Sequence, residues 1–142
     1  MITVAASGYF DPIHVGHVEY LELAKKLGHK LIVILNNDLQ AIKKKGFTFM
    51  PATERIKLLQ ALRHVDEVFL SIDHDHTVCK SLEALRPNIF AKGGDRFNAE
   101  IPEAEICKKH GIKMIDGLGA KIQSSSELVI KAEEMKKRNG IY

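Results

Sequence analysis

The stretch Ser7-Gly8-Tyr9-Phe10-Asp11-Pro12-Ile13-His14-Val15-Gly16-His17 decides how the rest of the chain is read. An apolar run at residues 2–6 enters it with the continuous hydrophobicity of a buried strand. A helical pattern at residues 15–27 leaves it, and Gly28 follows as a natural C-terminal cap. A strand, a glycine-containing turn and a helix start therefore adjoin one another.

That order of elements suits an anion. The first turn of a helix has backbone N–H groups without internal partners and carries about half a positive charge. Gly8 and Gly16 lack a Cβ and can let the backbone approach a ligand, and Asp11-Pro12 signals a turn. His14 and His17 share a helix face if the helix has begun by Val15, and two imidazoles there can donate to phosphate oxygens. Taken singly, each piece has an ordinary reading: a turn glycine, a capping or solvated histidine, a pair of metal ligands with no evident third. The joint pattern G-x-F-D-P-x-H-x-G-H is much more specific than a lone glycine-rich loop.

The pattern resembles the signature of the nucleotidyltransferase superfamily that includes the cytidylyltransferases and several small adenylyltransferases. Gly8, Phe10, Asp11, His14, Gly16 and His17 all match it. The resemblance implies that His14 and His17 contact the triphosphate and stabilise the transition state. It places Gly8, Tyr9, Phe10, Asp11 and Gly16 around the nucleotide.

The chain has 142 residues, the size of one domain spanning 1–142. Its 45% hydrophobic and 27% charged residues are ordinary for a globular protein. A net charge of +3 suits a small anionic ligand and is too mild to argue for nucleic acid. The two cysteines, Cys79 and Cys107, form no short pairing motif and read as thiols of a reducing compartment. No apolar run approaches the ~18 residues of a membrane span, and no leader pattern is seen, so the expected location is the cytoplasm.

Beyond the opening, strand-like and helix-like segments alternate. Strands are expected at residues 30–36, 65–71, 88–91 and 112–115, and helices at 38–42, 52–62, 76–85, 103–110 and from about 126 to 137. Residues 43–46 read as a basic loop, either a solvated charge run or a contact with nucleotide phosphate by Lys43, Lys44 or Lys45; the position after a strand's carboxyl end favours a ligand. Arg55 falls in a helix's first turn, against the macrodipole, and is either a surface ion pair or a substrate contact. Asp73-His74-Asp75-His76 reads as a polar loop capping the next helix rather than a metal cluster, and no metal ligands are assigned. Residues 116–120 read as a flexible loop.

Two further stretches follow strands. Lys92-Gly93-Gly94-Asp95 is a plain turn or a ligand pocket in which Asp95 meets a hydroxyl and Lys92 an anion. Ser124, Ser125 and Ser126 are an N-cap signal, and their hydroxyls with the following helix N–H groups could form a second phosphate site. The superfamily carries similar serine and threonine runs here, and its Glu-Arg or His-Arg pair resembles Glu54-Arg55. The resemblance thus gives catalytic roles to His14, His17, Lys44 and Arg55. It gives nucleotide or substrate contacts to Lys45, Lys92, Gly93, Gly94, Asp95 and Ser124–Ser126. The K-G-G-D run is similar to sugar-phosphate adenylyltransferases, whereas glycerol-phosphate cytidylyltransferases more often carry G-D-D. Arg96 departs from both, and the arginine that cytidylyltransferases often have before the serines is missing, with only Lys121 nearby.

The alternation predicts an α/β, Rossmann-like, doubly wound parallel sheet. The resemblance supplies five strands in the order 3-2-1-4-5. The expected activity is transfer of a nucleoside monophosphate from an NTP, ATP ahead of CTP, to a phosphorylated small molecule such as a sugar or polyol phosphate, with release of pyrophosphate. Mg²⁺ would travel with the nucleotide, and a homodimer is common among the relatives. Alternatives are a cytidylyltransferase acting on glycerol phosphate or an alcohol phosphate, a cofactor-making adenylyltransferase such as one for flavins, and a nucleotide-binding sensor without catalysis. A dinucleotide-dependent oxidoreductase is disfavoured because no G-x-G-x-x-G follows the first strand.

Overall fold

The computed structural model describes residues 1–93 and 102–118. Five strands, β1 (Thr3–Gly8), β2 (Lys30–Leu35), β3 (Glu67–Leu70), β4 (Ile89–Gly93) and β5 (Lys113–Leu118), alternate with helices α1 (Val15–Lys25), α2 (Asp38–Lys45), α3 (Ala52–Gln60), α4 (Cys79–Leu85) and α5 (Glu103–His110). All strand pairs are parallel, in the order β3-β2-β1-β4-β5, as expected.

Side chains alternate across a strand, so each strand serves two cores. Val4 and Ala6 of β1, with Leu31, Val33 and Leu35 of β2, pack on one face against Leu21 and Ala24 of α1 and Leu59 of α3. Ala5, Ile34 and Phe90 point the other way, onto Val78, Leu82 of α4 and Cys107 of α5. Burial on both faces explains why these strands read as unbroken apolar runs.

The strand order places the crevice between β1 and β4, from which connections leave in opposite directions. β1 pairs with β2 as far as Gly8–Leu35, but with β4 only as far as Ala6–Ala91. Where the two strands part, the buried Tyr20 of α1 spans the gap. Its hydroxyl accepts from Ser7 N at 3.2 Å and donates to Ala91 O at 2.6 Å. Gly93 leaves room for this ring, since a Cβ there would lie 3.1 Å from Tyr20 Cδ1.

Several boundaries differ from the sequence expectation. β1 extends through Ser7 and Gly8, which pair with Ile34 and Leu35 instead of forming the turn. β4 likewise takes in Lys92 and Gly93. The basic run at 43–45 is no loop: it forms the last turn of α2, where three cations meet the negative end of the helix, and Gly46 closes it at φ 88°. The stretch 116–118 belongs to β5, with Leu118 paired to Gly93 across a register shift. α1 ends at Lys25 and is capped by Lys26, so Gly28 has another role. A Cβ at Gly28 would lie 2.7 Å from Val4 Cγ2 and 2.8 Å from Ile2 O, and glycine lets the chain pass close to β1. Residues 76–78 precede α4 rather than opening it, and β3 is shorter at both ends than residues 65–71. Arg86 ends α4 at φ 46°, ahead of Pro87, which disfavours a helical residue before it. The expected helix near 126–137 lies outside the described residues.

Candidate active site

The start of α1 is built by the two histidines themselves. His14 is the N-cap, in extended conformation at φ −141°, and its Nδ1 accepts from Gly16 N at 3.1 Å. His17, at the third helical position, returns its own Nδ1 to His14 N at 3.2 Å. This reciprocal arrangement is a capping box made of imidazoles in place of Ser and Glu. It also fixes the tautomers. A ring nitrogen that accepts from a backbone N–H carries no proton, so each neutral ring has its proton on Nε2. Gly16 N is thus taken by His14, and each ring keeps an Nε2–H at this helix end.

The rings stack, with centroids 3.8 Å apart and planes 26° from parallel. The Phe10 ring meets His17 edge-on at 4.8 Å. Burial, and then the neighbouring His14, lower the His17 pKa to about 4, and burial lowers that of His14. Near neutral pH His17 is therefore an uncharged donor.

Phe10 is buried at φ 49°, a left-handed conformation unusual for a non-glycine residue. Its ring lies over Gly8, where a Cβ would come within 3.0 Å of Phe10 Cε2 and Cζ. The missing Cβ at Gly8 thus accommodates Phe10.

Asp11 turns away from the histidines. Its buried carboxylate accepts from Lys45 Nζ at 2.9 Å, Phe49 N at 2.8 Å and Met50 N at 2.6 Å, fastening residues 46–51 to the signature loop. Burial alone would raise its pKa, but these hydrogen bonds and the Lys45 charge outweigh that and lower it.

Arg55 has no exposed surface, contrary to the surface ion pair considered from sequence. Its guanidinium donates to Met50 O (2.9 Å), Tyr9 O (2.7 Å), Asn36 O (2.9 Å) and Asp38 Oδ1 (2.6 Å). Three segments, at residue 9, residues 36–38 and residue 50, are gathered on one planar group, whose fixed fork of donors suits such convergence.

Beside this clamp lies a cavity of about 640 Å³ at the carboxyl ends of β1, β2 and β4. Ser7 and Gly8 of β1 line it with the following Tyr9, and Lys92 lines it from β4; Asn36, Gln40, Lys43 and Lys44 line it from the end of β2 and α2. The remaining wall is Asp75, His76 and Val78, with Pro102 and Glu103 of α5. Lys44 Nζ lies 4.5 Å from the centre of the Tyr9 ring. The Tyr9 hydroxyl is buried without a hydrogen-bond partner among the described residues, and burial raises its pKa. Lys43 Nζ donates to His74 O at 3.0 Å, which ties α2 to the loop before α4.

The site residues expected from sequence thus fall into two adjoining groups. His14, Gly16 and His17 form the α1 terminus, braced by Phe10, Asp11, Lys45 and Arg55. Gly8, Tyr9, Lys44 and Lys92 line the cavity; Gly93 packs under Tyr20. Gly94, Asp95, Ser124, Ser125 and Ser126 lie outside the described residues. The 73–76 stretch caps α4: Asp73 accepts from Lys80 N (2.8 Å), Ser81 N (3.0 Å) and Ser81 Oγ (2.6 Å). Among the described residues no three His, Cys, Asp or Glu side chains are grouped to hold a metal ion.

Sequence reasoning missed Gln40 and Glu103. Gln40 is 1% exposed, and its Nε2 donates to Asp75 O and Thr77 O, shaping the cavity wall. Glu103 reaches from α5 to accept from Val78 N at 3.1 Å. Both read as ordinary polar helix residues, and no local pattern marks them as long-range partners. Among the described residues no helix is long and apolar enough to cross a membrane.

Comparison with known proteins agrees with this geometry. A family model described as cytidylyltransferase-like matches residues 5–138. Over 138 residues the chain is 36% identical to the bifunctional protein HldE of Streptomyces coelicolor, covering 92% of this chain and 28% of that protein. It is 40% identical over 113 residues to the FAD synthase of Ferroglobus placidus, covering 80% of this chain and 72% of the relative. The crystal structure of a lipopolysaccharide core biosynthesis protein from Thermoplasma volcanium superposes with a TM-score of 0.68 at 30% identity, over 82% of this chain and 95% of that one. The chain belongs to the cytidylyltransferase-like family, and the chemistry of its class is nucleotidyl transfer.

Proposed function

We propose that the protein transfers a nucleoside monophosphate from an NTP to a phosphorylated small molecule and releases pyrophosphate, with a sugar or polyol phosphate as acceptor and ATP ahead of CTP as donor. The observation that carries this reading is the α1 terminus, where both Nδ1 atoms accept from backbone N–H groups and both neutral rings keep their proton on Nε2.

A phosphate oxygen of the acceptor attacks the α-phosphorus in line. The bond from that phosphorus to the bridging oxygen breaks, and pyrophosphate leaves with the electron pair. No protein nucleophile is needed, so catalysis rests on alignment and on stabilising charge as it grows on the leaving group. His14 and His17 donate Nε2–H to the phosphate chain as neutral groups, which requires no proton release at neutral pH. Lys44 and Lys92 neutralise phosphate from the cavity side. Lys45, Asp11 and Arg55 act one step back, by holding the loop that carries the donors. Ser124–Ser126 supply further hydroxyl donors to the triphosphate. The nucleotide enters as its Mg²⁺ complex, with the ion held by phosphates and water.

The acceptor preference rests on the cavity. Lysines of α2 and β4 share the lining with Asp75 and Glu103, a mixture suited to a molecule with both phosphate and hydroxyl groups. The FAD synthases among the relatives favour a second reading, adenylyl transfer to a flavin phosphate. A homodimer and a cytoplasmic location accompany the proposal.

The test is pyrophosphate release with each of the four NTPs against a panel of sugar, polyol and alcohol phosphates and flavin mononucleotide. Release with ATP and a sugar or polyol phosphate is the expected result. Release only with the flavin phosphate selects the second reading. Nucleotide binding with no release from any pair leaves a binding protein in place of an enzyme.

A further inference from the structure

We propose that Tyr9 determines acceptor specificity: its hydroxyl hydrogen-bonds a free hydroxyl of the phosphorylated acceptor. This deepens the acceptor half of the proposed function and rests on that reading of the cavity.

The central observation is the contrast between two tyrosines on the same crevice. The Tyr20 hydroxyl, between β1 and β4, is satisfied on both sides by Ser7 N and Ala91 O. The Tyr9 hydroxyl is buried and has no partner among the described residues, at a residue that lines the cavity. An unsatisfied buried hydroxyl destabilises a fold, and phenylalanine would supply the same ring without that cost. The polar atom is therefore explained by a partner that arrives with the ligand.

The surroundings say what that partner is. The main chain of Tyr9 is anchored, since its carbonyl accepts from Arg55 Nη1 at 2.7 Å. That bond fixes the backbone from which the ring extends. The Lys44 ammonium lies over the ring face, 4.5 Å from its centre. A phosphate drawn to Lys44 therefore comes to rest beside the phenol. A phenol is protonated near neutral pH, and burial raises its pKa further, so it can both donate and accept, as suits an alcohol. The ligand is a phosphate ester with a hydroxyl close to its phosphate. A site built to bond a hydroxyl discriminates strongly against an analogue without one.

The experiment compares wild type and Tyr9→Phe by calorimetric titration with glucose 1-phosphate, glycerol 3-phosphate and methyl phosphate, the last lacking any free hydroxyl. Wild type should bind at least one of the hydroxyl-bearing esters more tightly than methyl phosphate. Tyr9→Phe should lose about tenfold of that preference, the scale of one hydrogen bond, while binding methyl phosphate as wild type does. The melting temperature of the free variant should equal or exceed that of wild type, which shows that the change is not a folding defect. Equal binding of both hydroxyl-bearing esters by the two proteins overturns the assignment, as does a wild type that prefers neither to methyl phosphate. Pyrophosphate release separates the two levels. Preferential binding lost in the variant, with no release from any NTP, sinks the transfer reaction and keeps the Tyr9 assignment. Release by wild type with an unchanged acceptor KM in Tyr9→Phe sinks the assignment alone.

Discussion

His14 and His17 stack at 3.8 Å while each ring's Nδ1 accepts a backbone N–H at the start of α1. The pair thus caps the helix and fixes its own tautomers in one arrangement. Removing His17 takes away a donor and one half of the box. His17→Ala should lower kcat by about 10²-fold or more, the scale of losing one transition-state donor, and destabilise the fold by about 1 kcal/mol through the lost cap. Steady-state pyrophosphate release and denaturant titration measure the two effects. Full turnover by the variant would remove the proposed role.

The low pKa of His17 gives a pH dependence with a defined sign. The unfolded chain takes up a proton near pH 6.5, and the folded protein only near pH 4. Between those values the unfolded state binds more protons, so stability rises with pH across that window. This contribution is complete above pH 6.5 and is lost as pH falls to 4, on the order of 3 kcal/mol in all. Urea titrations at pH 7 and pH 4.5 on wild type and His17→Asn check it: the difference between the two pH values should shrink in the variant.

Asp11 acts at lower pH. Its folded pKa lies below the usual 3.8, so its contribution is present above that value and is lost as pH falls through the folded pKa. Asp11→Ala should cost about 3 kcal/mol, since the Lys45 ammonium and two backbone N–H groups lose their acceptor. Proteolytic cleavage within residues 46–51 should accelerate in parallel. An unchanged cleavage rate would deny the carboxylate its role in fastening that segment.

Arg55→Lys is not a conservative change here. A lysine cannot reach Met50 O, Tyr9 O, Asn36 O and Asp38 Oδ1 together, and a buried ammonium lacks the planar fork. The expected loss is about 3 kcal/mol in stability, with a fall in kcat as the loop that carries His14 loosens. Calorimetry and kinetics on one preparation test both. Loss of activity at an unchanged melting temperature would point instead to direct contact with substrate.

Gly8→Ala places a methyl group 3.0 Å from the Phe10 ring, which is confined by burial and by its contact with His17. About 1–3 kcal/mol of destabilisation should follow. Combining it with Phe10→Leu should recover part of that loss, which a thermal melt of the double variant would show.

The fold was legible because parallel strands covered on both faces leave unbroken apolar runs such as residues 31–35, and because Gly111 stands at a helix end in left-handed conformation. The order of the strands came from the resemblance, since the alternation alone does not order them. What escaped was long-range polar pairing. Lys43, Lys44 and Lys45 read as a loop because α2 buries only Gln40 and Ala41, so its sequence shows little of an apolar stripe. Gln40 is buried because it bonds carbonyls 35 and 37 residues away. Arg55 looked misplaced in a first turn for a related reason: its partners come from residue 9 and residues 36–38 as well as from nearby Met50.

The short Ser7–Tyr20–Ala91 relay has a mechanical consequence. A phenol locked between two strand backbones is a strut of fixed length, so the mouth of the crevice cannot widen or narrow by sliding β1 against β4 without breaking two hydrogen bonds. The base of the binding region is thus set to one gauge before any ligand arrives, and whatever closure accompanies turnover is left to the segments above it.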